Sequence, residues 1–309
     1  MTLLTPTDVF RKVEARASLA YAELSHINLE GIRLSGGQFF SAYLKTANLS
    51  HTDCQATDFS RAILIRANLS HGIFASANFS KSNLIKANCQ GANFREAQFL
   101  KAQLQSICLD DTEISAADFT ETNLSEAQGK NINFTQAIFQ KAILIKSQFE
   151  ESNLTQVNLR EANLKQANWS GIIIPNSKLQ KTNFTEAILT KINFYGSSLF
   201  QSILPRAQLN QIECQDVELE AANFQNSQFC DVDFSDSSLV GTNFEGATLD
   251  QVNFTNTNLS QANFKNTVVK EVDLTKSQVE KADFRNAQGL TLEQKEYLKA
   301  NGGLNIPTA

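Results

Sequence analysis

Few residues in this chain could do chemistry. There are three histidines, His26, His51 and His71. His51 and His71 lie 20 residues apart and would begin a metal site if the fold brings such residues side by side, because neutral imidazole is a common metal ligand. No third ligand accompanies them, so two solvated side chains are expected and no metal. The sequence holds no phosphate-binding glycine loop and no H-E-x-x-H pair. Nor does it group a nucleophile, a base and an orienting residue. No catalytic residue and no cofactor are therefore expected, and the chain is not read as an enzyme. The five cysteines lack the spacing of a zinc site or a disulfide framework. Cys54, Cys89 and Cys214 replace apolar residues at positions read as inward, whereas Cys108 and Cys230 are read as outward. A reducing, cytoplasmic location fits best.

Charge placement says more than charge total. The chain carries 27 Lys and Arg against 32 Asp and Glu, a net charge of −5. Residues 36–106 hold seven cations (45, 61, 66, 81, 86, 95 and 101) against three acids, and residues 207–264 hold nine acids and no cation. Glu213 precedes Asp233 by 20 residues, and Asp216 precedes Asp236 by 20. These four are the candidate contact for a protein partner with a basic surface. Lys101, Glu121, Lys141, Glu161 and Lys181 alternate in sign at the same interval and read as a structural ion-pair ladder. Ile63 and Ile65, Ile85, and Ile143 and Ile145 recur in one phase, which Tyr43 and Ile203 share. An aligned apolar stripe is the second candidate partner surface.

The interval of 20 takes its meaning from the element that must position these residues. From Leu19 to Phe284 every fifth residue is large and apolar, 54 sites with Gly129 the one exception. Nineteen of the 22 phenylalanines and Trp169 fall on this phase, and the residue two places earlier is small or β-branched. A step of five turns roughly 500° on an α-helix and alternates between the faces of a straight strand, so neither element buries the pattern. A chain that turns a corner every five residues does bury it. Four sides close a square coil of 20 residues, giving about 13 coils and a length of about 65 Å at roughly 4.8 Å per coil. No apolar run approaches the roughly 18 residues of a membrane span, and the N-terminus lacks the features of a signal peptide.

The motif A-(N/D)-L-x-x, as in "ANLSH", "ANFSK", "TNLSE", "ANFKN" and "ADFRN", resembles the pentapeptide-repeat family, and the overall look is similar to cyanobacterial members. The resemblance implies an all-β fold, a right-handed quadrilateral β-helix. The frequent Asn before the central residue, as at Asn48, Asn68 and Asn88, is expected to bond between coils.

Three segments follow: an N-terminal capping segment over 1–16, the β-helix over 17–288, and a capping helix and tail over 289–309. Thr7 or Asp8 is expected to cap a first helix that presents Val9, Phe10 and Val13 to the open coil. Thr291 and Gln294 resemble a capping box, which predicts a helix near 292–300 with Leu292, Tyr297 and Leu298 over the last coil. Gly129 reads as a tolerated turn or part-filled cavity, with a functional kink as the alternative, and alanine there should change little if its φ is negative. The chain is read as a non-enzymatic interaction scaffold or regulator, a monomer or an end-to-end dimer through its C-terminal segment. Direct nucleic-acid or membrane binding is not expected. The alternative implied by the resemblance is a DNA mimic that binds a type II topoisomerase (gyrase). The basic N-terminal half and the lack of loops between repeats depart from that pattern.

Overall fold

One pentapeptide, Ala67–His71, shows why the chain coils. The Ala67 N–H closes a turn onto the Leu64 carbonyl (2.9 Å), and the Asn68 N–H reaches back one coil to Ala47 (2.9 Å). Leu69 and His71 donate forward to Asn88 (2.7 Å) and Gln90 (2.8 Å). The fifth N–H, of Ser70, is accepted by the Asn68 side chain (3.2 Å). Every backbone donor of the repeat is thus engaged, as burial of the chain requires. Where Asn or Asp precedes the central residue, as at Asp58, Asn68, Asn78 and Asn88, its side chain accepts the donor that the ladder cannot reach.

Each corner is a β-turn whose third residue has positive φ, as at Arg66 (φ 55°) between Leu64 and Ala67. That is the type II geometry. Most of these corners carry Lys, Arg, Glu, Gln, Asn or Asp rather than glycine. A left-handed L-residue costs about 1–2 kcal/mol. Leaving its N–H and the turn donor unpaired would cost about 1–3 kcal/mol each, so the turn holds.

The computed structural model describes residues 4–308. Parallel pairing joins residues 20 apart, from Glu23 with Tyr43 onward, in a right-handed quadrilateral β-helix. The sequence reads as one array of about 13 coils. The contacts divide the chain into two compact units, Met1–Asn158 and Leu159–Ala309. Extended pieces are short because the chain turns a corner every five residues. The first unit contributes β1 (Gln128–Lys130) and β2 (Gln148–Glu150), paired in parallel. The second unit contributes β3 (Asn168–Ser170), β4 (Ile188–Asn193), β5 (Gln208–Glu213), β6 (Gln228–Asp233), β7 (Thr248–Asn253) and β8 (Val268–Lys270), each paired with the next.

The inward assignment holds: Phe74, Phe94 and Phe134 are buried with the other central residues. In the first unit Phe39, Phe59, Phe79, Phe99, Phe119 and Phe139 stack ring on ring, with centroids 4.7–5.1 Å apart. Phe224, Phe244, Phe264 and Phe284 form a similar stack in the second unit. Where the small inward residue is Ser or Thr, its hydroxyl commonly donates to a backbone carbonyl, as from Thr122 to Phe99 (2.6 Å) and from Thr182 to Leu159 (2.8 Å), with Ser202 an exception. The expected Asn ladder is present: Asn48 donates to Asn28 (2.9 Å), Asn68 to Asn48 (3.2 Å) and Asn88 to Asn68 (3.3 Å).

Both ends differ from the sequence reading in detail. Helix α1 spans Pro6–Glu14 and is capped by Thr5, not by Thr7 or Asp8. Proline favours the first helical position, and Asp8 closes a capping box with Thr5. Those bonds hold the Asp8 carboxyl below its ordinary range. Val9 and Val13 are buried, but Phe10 points outward, 39% exposed. Helix α2 spans Leu292–Ala300, with Thr291 and Gln294 forming the expected capping box. Leu298 is buried, whereas Leu292, at the outboard first position, is 73% exposed. The cap also satisfies carbonyls of the last coil. Gln294 donates to Val272 (2.7 Å), Tyr297 to Ser277 (2.7 Å) and the Leu304 N–H to Ala282 (2.8 Å).

Gly129 is not at a turn, and the space beside it is taken by Ile132. It lies inward in β1, and a Cβ there would sit 2.6 Å from Ile132 Cδ1 and 3.0 Å from the Leu109 carbonyl carbon. Its φ is not left-handed, so crowding rather than backbone strain is the obstacle. Gly129→Ala is therefore expected to destabilise by about 1–3 kcal/mol, against the small change that the sequence suggests. Phe119→Ala removes a fully buried ring lying 4.8 Å from Phe99 and 4.7 Å from Phe139. It should cost about 3–5 kcal/mol. Denaturant unfolding of both variants tests the pair, and a neutral Phe119→Ala would refute the stacked core.

Candidate functional site

The histidines and cysteines assemble no chemistry. His51 and His71 stack with ring centroids 5.1 Å apart and planes at 16°. Among the described residues no group of three or more His, Cys, Asp or Glu converges as a metal set. Cys54, Cys89 and Cys214 are fully buried, and burial pushes the Cys54 thiol up to about 12 and the other two higher still. Such thiols are poor nucleophiles, since the thiolate is the reactive form. Cys108 is half-buried and Cys230 exposed.

The acidic residues do converge, in the second unit. Strands β5 and β6 place Glu213 directly beside Asp233. Asp216 and Asp236 occupy the left-handed corner after them (φ 57° and 60°), and Asp231 the corner before (φ 58°). One side of two successive coils therefore presents five carboxylates. Neutral amides hold three of them: Asn253 (2.9 Å) and Gln215 (2.7 Å) donate to Asp233, Asn193 to Glu213 and Asn256 to Asp236. Asp231 was not singled out in the sequence, although counting back 20 residues from Gln251, or forward from Gln211, puts it on the same corner. The other acids of 207–264 go elsewhere. Asp250 pairs with Lys270 (3.0 Å), and Glu218, Glu220 and Glu245 fall on other sides. Two exposed apolar residues, Ile173 (52%) and Tyr195 (49%), precede the acids on the same side and were also missed.

The isoleucines form two patches rather than one stripe. Ile63 pairs with Tyr43 on one coil and Asn83 on the next. Ile65 and Ile85 sit beside them in the same phase. Ile143 pairs with Asn123, and with Ile145 it lies four coils further on. Asn83, Gln103 and Asn123 separate the two groups in the ladder. Ile63, Ile65, Ile85 and Ile145 are half-buried and Ile143 is exposed at the margin, 36%. Ile203 lies in the second unit. The Lys101–Glu121 rung of the proposed ladder forms at 3.3 Å.

Comparison with known proteins adds the family. A model of the pentapeptide repeat region matches residues 127–204 and 207–284, and a model of pentapeptide repeats in eight copies matches 42–74 and 73–111. No curated protein matches the chain. Among solved structures the chain is similar to HetL, a pentapeptide repeat protein involved in heterocyst differentiation regulation from the cyanobacterium Nostoc. Identity there is 19%, covering 89% of this chain and 97% of that one, with a TM-score of 0.22. It is similar to full-length QnrB1, a plasmid-mediated fluoroquinolone resistance protein, at 17% identity over 68% and 90% of the two chains (TM-score 0.28). A pentapeptide repeat protein of the Arabidopsis thaliana thylakoid lumen matches at 27% identity over 43% and 75% (TM-score 0.24). The two family models take in well over half of the sequence between them, and the protein belongs to the pentapeptide-repeat family.

Proposed function

We propose that this protein is a non-enzymatic interaction scaffold on which a basic protein surface docks, with Glu213, Asp216, Asp233 and Asp236 as the contact. The observation that carries this reading is how the carboxylates are held. Like charges on neighbouring coils repel, and the side chains that steady Glu213, Asp233 and Asp236 are amides, which leave the charge in place. With no Lys or Arg in residues 207–264, the face keeps its field, which speeds and orients the approach of a basic partner.

The family's DNA-mimic role is the second reading. A mimic of duplex DNA needs a continuous acidic surface, and the first unit carries cations that no carboxylate neutralises, described below. We favour the scaffold for that reason. The reduced cysteines fit a cytoplasmic setting. No helix among the described residues is long and apolar enough to cross a membrane. The cap over the Val272, Ser277 and Ala282 carbonyls leaves less open strand edge at that end for a second copy to pair with, so a monomer is the preferred state.

The variant carrying Glu213→Gln, Asp216→Asn, Asp233→Asn and Asp236→Asn tests the contact. Wild-type protein should capture basic proteins from lysate in a salt-sensitive way, and the variant should lose them with its Tm unchanged or slightly raised. Equal capture by both would remove the acidic face from consideration. The purified protein should leave gyrase supercoiling unaffected at large excess, and stoichiometric inhibition would favour the mimic instead.

A further inference from the structure

The first unit carries a second built surface, of opposite sign. Residues 41–46, 61–66, 81–86 and 101–106 form the same side of four successive coils, and they contain no Asp or Glu. Tyr43, Ile63, Ile65 and Ile85 make its apolar middle. Arg61 and Lys81 stand at the corner before that strip, and Arg66 and Lys86 at the corner after it, all four in the left-handed turn position. Among the described residues none of these four, nor Lys45, has a carboxylate within ion-pair reach. Arg61 lies instead over the Phe40 ring, 5.8 Å from its centroid. Cations stacked on adjacent coils repel one another. The face therefore pairs an apolar strip with two rails of unneutralised positive charge.

We propose that this face docks an acidic amphipathic helix of a partner protein. Strand addition is closed to it, because the backbone of these rows is already in the ladder: Ile63 donates to Ala42 (2.9 Å), and the Ile63 carbonyl accepts from Leu44 (2.8 Å). A helix needs no such bonds and contributes only its side chains. Its pitch of about 5.4 Å nearly matches the coil spacing of about 4.8 Å. A helix lying along the coil axis thus sets one apolar residue on each row, drifting by only about 0.6 Å per turn. That match lasts about three rows, the extent of the strip from Tyr43 to Ile85. Acidic residues flanking the helix's apolar side then fall over the rails at the two corners. A membrane is the poorer occupant, because the isoleucines are half-buried and flush with the surface. They can be covered but cannot insert.

The test uses the full chain and a labelled helical peptide with Leu along one side and Glu flanking it. A peptide of equal composition in scrambled order is the control. Fluorescence anisotropy should show the amphipathic peptide binding at least about tenfold more tightly than the scrambled one, with affinity falling as salt rises. Arg66→Gln with Lys86→Gln should weaken binding about tenfold, and Ile63→Ser with Ile85→Ser should weaken it without changing the circular dichroism spectrum. The acidic-face variant described above should bind the peptide as wild type does, which separates this proposal from that one. Equal binding of the scrambled peptide would overturn the helix and leave a charge effect alone. No peptide binding, accompanied by binding to vesicles of anionic lipid or by self-association, would overturn the proposal in favour of that occupant.

Discussion

Everything in this molecule depends on closing the backbone hydrogen bonds of a chain that turns every five residues. A corner that tight needs a left-handed residue, and few of the corners use glycine. The conformation is imposed by its surroundings. The corner N–H donates to the next coil, the following N–H closes the turn or donates to a serine hydroxyl of the next coil, and an Asn or Asp side chain, where there is one, accepts the donor left over. Straightening any corner would orphan several of these groups at once, at a cost greater than the left-handed penalty. Because the ladder bonds run to residues 19 or 21 places away, no coil can be satisfied alone, and neighbouring coils supply what each lacks.

The core and the ends follow from that requirement. Identical vertical spacing puts like residues on top of one another, so aromatic rings stack at the coil interval, and a glycine such as Gly129 is accommodated by Ile132 leaning into its place. At the C-terminal end the ladder cannot simply stop, since the last coil would present bare carbonyls. Side chains of α2 and the returning backbone at Leu304 take up the bonds that a further coil would have made.

How much of this was legible in the sequence depends on how local the cause is. The fivefold phase from Leu19 to Phe284 repeats one physical demand, so it showed the inward residues and the fold. Thr291 and Gln294 were legible because a capping box is a contact between residues three apart. The first helix was misplaced because Thr5, Thr7 and Asp8 all can cap, and Pro6 decides among them only when its place at the first helical position is given weight. Phe10 and Leu292 were read as covering the coils from their apolar character, whereas helix orientation decides which side faces the core. Gly129 was read as spare space because the lean of Ile132 is a tertiary event. The candidate surfaces were half legible. The 20-residue interval aligned Glu213 with Asp233, but an interval does not tell a stacked charge that is neutralised from one that is not. Asp250 turned out to be paired with Lys270, and Asp233 to be held by amides.

That separation of roles is what makes the surfaces informative. The backbone, the small residue, the central residue and the Asn or Asp specify the coil. The two corner residues have their N–H groups satisfied whatever side chain they carry. Charge at a corner is therefore free of the fold and answers to solubility or to a partner. Solubility alone is served by mixed signs, as the Lys101–Glu121 pair shows. Three corner acids on one side of two coils in the second unit (Asp216, Asp231 and Asp236), and two cationic rails around an apolar strip in the first, are sorted by sign at a cost in repulsion that alternation would have avoided. Sorting of this kind, with the backbone indifferent to it, is better accounted for by the surfaces that these faces meet than by the coil that carries them.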